Sequence, residues 1–164
     1  DVAKEKPDFT VAMLHWGSEN NDQISKTQTQ IAELMMKNGV DVILGTHPHL
    51  VQQIEMNEKS GTLIAYSLGD FFGDATLGGS NYSIILDVEV TKDADLKTTK
   101  VTGYSYIPIY TTKEAEGDGY RRVVRTKEAM YAYENNYVDK VTADCYTAMK
   151  KSLERIESRI SGKG

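Results

Sequence analysis

Val40-Asp41-Val42-Ile43-Leu44-Gly45-Thr46-His47-Pro48-His49 runs from a short β-branched apolar segment straight into two histidines. The segment Asp41 to Leu44 reads as a buried strand. The imidazoles of His47 and His49 therefore hang from its carboxyl end. Pro48 disfavours the helical region for His47 and predicts an extended conformation there. In an extended chain residues two apart point to one side, roughly 7 Å apart along the backbone. Two imidazoles facing one point suit a metal ion, since neutral imidazole is a common ligand of zinc and related ions.

The third histidine of the chain, His15, closes a second apolar run, Thr10-Val11-Ala12-Met13-Leu14. One helix is predicted between the runs. Ser25 is its N-cap and Gln28 completes a Ser-x-x-Gln capping box. Ile31, Ala32, Leu34 and Met35 form the expected core stripe, Met35 and Met36 read as core fillers, and Asn38-Gly39 ends the helix. Strand, helix and strand make a βαβ crossover with parallel strands. Ligands of open α/β sheets bind beyond the carboxyl ends of such strands, which is where all three histidines fall. The fold class expected from these elements is α/β.

The chain has 164 residues, 40% of them hydrophobic and 26% charged, with a net charge of −5. That is the composition of an ordinary globular domain. The acidic balance argues against a nucleic-acid surface, so a polyanionic ligand would need a local site. Cys145, the single cysteine, lies on the apolar side of a predicted helix and reads as a buried thiol. Neither a signal peptide nor a membrane-spanning segment is recognisable. Residues 1–8 read as the tail of a helix entering a strand, as in a piece of a longer protein.

Beyond the histidines, Leu50 to Met56 alternates like a third strand, and Asn57 to Gly61 reads as a hairpin turn into a fourth, Thr62 to Leu68. Gly69 to Asp74 and Gly78 to Asn81 read as loops. Tyr82 to Val90 and Lys97 to Tyr110 form an antiparallel pair joined by a turn at Lys92 to Asp95, with Tyr104, Tyr106 and Tyr110 as packing residues. A loop spans Glu114 to Gly119. Arg121, Arg122 and Arg125 form a small basic cluster, read as solvated surface ahead of anion contact. The chain then turns helical, with a break at Asn135-Asn136. Val138, Val141, Cys145, Met149, Leu153, Ile156 and Ile160 recur at helical spacing, the stripe of one amphipathic helix.

Three histidines and one water would complete a mononuclear zinc site, and zinc held in this way generates a nucleophile from water at neutral pH. The same histidines would equally serve as half of a two-metal site, which also needs carboxylates. Glu19, four residues after His15, and Asp70, in a Gly-Asp-Phe turn, are the catalytic candidates. Asp74 is a weaker one. No nucleophile triad or phosphate-cradling glycine loop is visible.

His15-Trp16-Gly17-Ser18-Glu19, Gly45-Thr46-His47-Pro48-His49-Leu50-Val51-Gln52 and Ala65-Tyr66-Ser67-Leu68-Gly69-Asp70-Phe71 occur in the order and approximate spacing of the CapA-type capsule (poly-γ-glutamate) biosynthesis family. Tyr106-Ile107-Pro108-Ile109-Tyr110 resembles the family's later proline-containing strand. The resemblance implies an α+β sandwich of the calcineurin-like metallophosphoesterase type, represented here by its carboxyl-terminal half over residues 1–115. Residues 116–164 would be a helical tail packing on the domain or on a partner. It implies His15, His47 and His49 as ligands of one or two divalent ions (zinc, manganese or iron). The family usually carries Asn where this chain has Asp70. The amino-terminal half of the fold, with its further metal ligands, would be the missing partner. The resemblance further implies an anionic polymer or phosphoester substrate, possible homo-oligomers, and a membrane-anchored full-length protein at the bacterial cell surface. Two functions fit: a metal-dependent hydrolase or transferase, or a non-catalytic binding or assembly subunit of a capsule export machine.

Overall fold

The structure, a computed structural model, describes residues 2–73, 78–113, 119–137 and 141–162. A 3-10 turn, Val2–Glu5, leads into strand β1, Val11–His15, helix α1, Lys26–Lys37, and strand β2, Val42–Thr46. A hairpin of β3, Ile54–Asn57, and β4, Thr62–Ala65, follows, then the long strands β5, Tyr82–Asp93, and β6, Thr98–Thr111. The chain ends with β7, Val123–Arg125, helix α2, Thr126–Glu134, and helix α3, Ala143–Ile160. The first sheet has the order β1-β2-β4-β3, and the second β5-β6-β7. Strands β1, β2 and β4 are mutually parallel, whereas β3 runs antiparallel to β4. Mixed content of this kind is the α/β class read from the sequence.

Both faces of the first sheet are apolar, as a crossover sheet requires. Ile43, Ile64 and Tyr66 pack with Trp16 and Ala32 beneath α1. Val42, Leu63 and Ala65 point the other way, into a core shared with Tyr82, Ile84, Val101 and Tyr110 of the second sheet. Helix α3 closes that core with Cys145, Met149, Ile156 and Ile160. Of its predicted stripe, Cys145, Met149, Ile156 and Ile160 are buried and Leu153 is half-buried, while Val141 precedes the helix, which Thr142 caps by accepting from the Cys145 amide at 3.1 Å. Val138 and the stretch Glu114 to Asp118 lie outside the described residues, as does Asp74.

Three expectations change. Residues 50–53 are not strand: Val51 makes one isolated bridge to Leu68, and β3 starts at Ile54. Leu50, Val51 and Gln52 are all buried, so their alternation does not separate a wet face from a dry one. On α1 the stripe is narrower than predicted: Ala32 is buried, but Ile31 and Leu34 are 38% and 60% exposed. Strand β7 was not foreseen, because three residues flanked by arginines give no periodic signal. Strand β1 has β2 on one side and no strand among the described residues on the other. Its residues Val11 and Met13, on the face opposite α1, are 51% and 77% exposed.

Candidate functional site

The carboxyl ends of β1 and β2 are anchored by a tryptophan. Trp16 donates its indole N–H to the Tyr66 carbonyl at 2.9 Å and stacks on the Tyr66 ring at 5.8 Å. Gly45 makes room for this. A Cβ on it would lie 2.0 Å from the Tyr66 carbonyl oxygen and 2.4 Å from the Trp16 Nε1. The strand ends carrying His15 and Thr46 are thereby locked in register, and the Trp16 amide donates to Thr46 O at 3.1 Å.

A second anchor is polar and buried. Gln28 uses its side-chain oxygen in the capping box, accepting from Ser25 N, and its amide donates to Gln52 Oε1 at 3.0 Å. Gln52 donates in turn to the carbonyls of Asn21 and Gln23. Both glutamines are almost wholly buried. The chain of amides fixes the loop after β1 to the start of α1 and to the segment after the histidines. Sequence reasoning placed Gln28 only in the cap and missed Gln52. A glutamine amid buried apolar neighbours was the available signal, because buried polar groups need partners.

On this frame His15 and His47 lie with ring centroids 4.4 Å apart, and His47 and His49 lie 6.4 Å apart. The route differs from the expected one. His47 and His49 take positive φ values of 98° and 61°, so the segment is not extended. Pro48 is buried between them. L-residues adopt such backbone reluctantly, and strain of this sort persists where the surroundings over-determine it. The Asn20 amide, donating to the Pro48 carbonyl at 3.0 Å, is one such restraint.

Asp70 and Glu19 both reach His49. Each Asp70 carboxylate oxygen is 2.9 Å from Nδ1, and Glu19 Oε1 is 3.3 Å from Nε2. Asp70 thus stands behind the ring and Glu19 before it. The hydrogen bond to Asp70, aided by the charges of Asp70 and Glu19, raises the His49 pKa above its ordinary value despite partial desolvation. His15 Nδ1 lies 3.4 Å from the Thr46 hydroxyl.

A carboxylate on the far nitrogen of a histidine is the usual arrangement for orienting a metal ligand. Imidazoles bound to one tetrahedral zinc have ring centres about 5 Å apart, given a Zn–N distance of about 2 Å. The observed separations bracket that value, so the donor chemistry fits a divalent ion. Among the described residues, however, no three His, Cys, Asp or Glu side chains form a ready ligand group. Glu19, with its side chain 63% exposed, occupies the nitrogen that His49 would present, and must swing aside or join as a ligand.

The raised His49 pKa has a sign. The protonated ring is favoured in the folded protein, so its contribution is complete below the unfolded value of about 6.5. It is lost as pH rises through the higher folded value. Asp70→Asn keeps an acceptor but removes the charge. The metal-free variant is expected to show a lower His49 pKa by NMR titration and a smaller fall in stability as pH rises from about 6.5 through the folded value of the unaltered protein. An unchanged titration would mean that Asp70 does not hold the proton.

Residues 1–75 match the family described as bacterial capsule synthesis protein PGA_cap. The PGA biosynthesis protein CapA of Bacillus subtilis (strain 168) is 42% identical over 72 residues, 44% of this chain and 18% of that protein. The capsule biosynthesis protein CapA of Bacillus anthracis is 36% identical over 74 residues, 45% of this chain and 18% of that protein. The match thus spans under a fifth of the length of either relative. The family match over residues 1–75 contains every residue of the histidine site and ends before β5.

Proposed function

We propose, on the premise that this chain belongs through its residues 1–75 to the CapA-type bacterial capsule biosynthesis family, that it acts on an anionic capsule polymer at the cell surface. His15, His47 and His49 would hold a divalent cation for that task. The observation that carries this reading is the approach of the His15 and His47 rings to 4.4 Å beside a His49 backed by Asp70. Such an ion would supply Lewis-acid polarisation of a substrate carbonyl or phosphoryl oxygen. The chain's own residues do the rest. Asp70 fixes the tautomer and direction of His49. Glu19, exposed in front of the ring, is placed to accept a proton from an attacking water or hydroxyl. Hydrolysis or transfer at a phosphoester or a γ-glutamyl amide is the reaction class that suits these groups.

A second reading, polymer binding without turnover, is favoured by the occupied nitrogens of His49 and the lack of a ready ligand group among the described residues. The open edge of β1 suits a further segment of the full-length protein. A strand pairing there would satisfy its free backbone groups, cover Val11 and Met13, and bring further ligands to the site. A second copy of the chain is the alternative occupant. Membrane anchoring of the full-length protein also belongs to this proposal; no helix among the described residues is itself long and apolar enough to cross a membrane.

Elemental mass spectrometry of the purified protein tests the metal site. His47→Ala and His49→Ala are each expected to lower the content of zinc, manganese or iron while leaving helix content unchanged by circular dichroism. Equal stoichiometry in all three proteins would remove the site. Turnover of phosphoesters or γ-glutamyl polymers by the full-length protein would separate enzyme from binding subunit.

A further inference from the structure

A cavity of about 610 Å³ lies between the loop that follows β1 and the last turns of α3, outside the histidine site. Asp22, Gln23, Gln53, Arg155, Ser158 and Arg159 supply its polar lining. We propose that this cavity is a subsite for the carboxylates of an extended anionic chain, held by Arg155 with Arg159 beside it; the proposal rests on the reading of this protein as one that handles an anionic polymer.

Arg159 is fixed before any ligand arrives. It donates to Asp22 Oδ2 at 2.8 Å and to the Tyr82 hydroxyl at 2.9 Å, and its guanidinium lies 5.6 Å from the centre of the Tyr82 ring. Those contacts use two of its nitrogens and leave N–H groups free, since guanidinium has five. Arg155 lies four residues earlier, on the same helix face. It is exposed and has no ion-pair or hydrogen-bond partner among the described residues. The Gln53 side chain lies close against Gly162, where a Cβ would fall 2.6 Å from its Nε2.

The charges decide how strong such a site is. Asp22 neutralises Arg159, so the net cation is Arg155. The carboxyl end of α3 opposes an anion with about half a charge. One carboxylate would bind weakly, and a chain of them would gain by repeated engagement. That favours a polymer over a small acid. The loop that forms one wall also carries Glu19, and it begins two residues after His15. A chain seated in the cavity would therefore be held on the loop that leads from the candidate metal site.

NMR titration of the protein with a short γ-linked glutamate oligomer tests this, with inorganic phosphate and free glutamate as separate arms. The oligomer is expected to shift the Arg155 side-chain and the Gln23 and Gln53 amide resonances, with free glutamate far weaker. Arg155→Gln is expected to weaken oligomer binding about tenfold, the scale of one charged hydrogen bond. Oligomer shifts confined to His15, His47 and His49, abolished by His47→Ala and insensitive to Arg155→Gln, would overturn the subsite and keep the proposed function. Shifts at the cavity from phosphate but not from the oligomer would overturn it too. No binding of the oligomer anywhere would overturn both the subsite and the polymer reading, independently of metal content.

Discussion

Gly45→Ala is expected to destabilise the protein by about 4 kcal/mol, combining overpacking of about 1–3 kcal/mol with loss of a buried hydrogen bond of about 1–2 kcal/mol. The new methyl would meet the Tyr66 carbonyl and the Trp16 indole nitrogen together, at 2.0 and 2.4 Å. Neither can yield cheaply. The carbonyl belongs to the backbone just beyond β4, and the indole nitrogen is its hydrogen-bond partner. Relief requires β2 and the end of β4 to part, which would also break the Trp16–Tyr66 hydrogen bond that ties the site edge to the end of β4. At about 2–4 °C per kcal/mol for a domain of this size, the melting temperature should fall by roughly 8–16 °C. Gly78→Ala is the control, because a Cβ there meets nothing within 4 Å. Equal melting temperatures for Gly45→Ala and the unaltered protein would show that the Trp16–Tyr66 anchor is looser than its geometry.

Met149→Ala should cost about 2–5 kcal/mol, the range for removing a large buried side chain from a core that closes only partly afterwards. Met149 is fully buried in the cluster joining both sheets to α3. Cys145, one turn earlier on the same face, is equally buried. The variant is therefore expected to expose Cys145 more often, and its labelling by a thiol reagent should accelerate about tenfold for each ~1.4 kcal/mol of stability lost. Unchanged labelling with lowered stability would mean that α3 stays docked while another part of the molecule opens.

The capping box at Ser25 and Gln28, the parallel pairing of β1 with β2 and the stripe of α3 were all legible because each follows from spacing of two to four residues. Convergence of His15, His47 and His49 was legible for a topological reason: parallel strands present their carboxyl ends at one edge. The backbone at His47 was not. The rule for a residue before proline speaks against the helical region and says nothing about positive φ. What decides the conformation is burial of Pro48 and the bond from Asn20, both tertiary. The pairing of Asp70 with His49 joins residues 21 apart and leaves no periodic trace. Ile31 and Leu34 carry a helix pattern whose apolar face is wider than the surface α1 covers here. The alternation of Leu50 to Met56 misled for a related reason, since a plug buried on all sides looks locally like a strand buried on one.

Trp16 is the only tryptophan in a chain with ten tyrosines. Its ring is 8% exposed and stacked on Tyr66, and its N–H is bonded. Indole emission therefore comes from a single position, the residue next to His15. The molecule has a built-in optical probe at the mouth of its own site. Red-edge excitation isolates it from the tyrosines, and its wavelength and anisotropy report whether the ends of β1 and β2 are locked, with no dye attached.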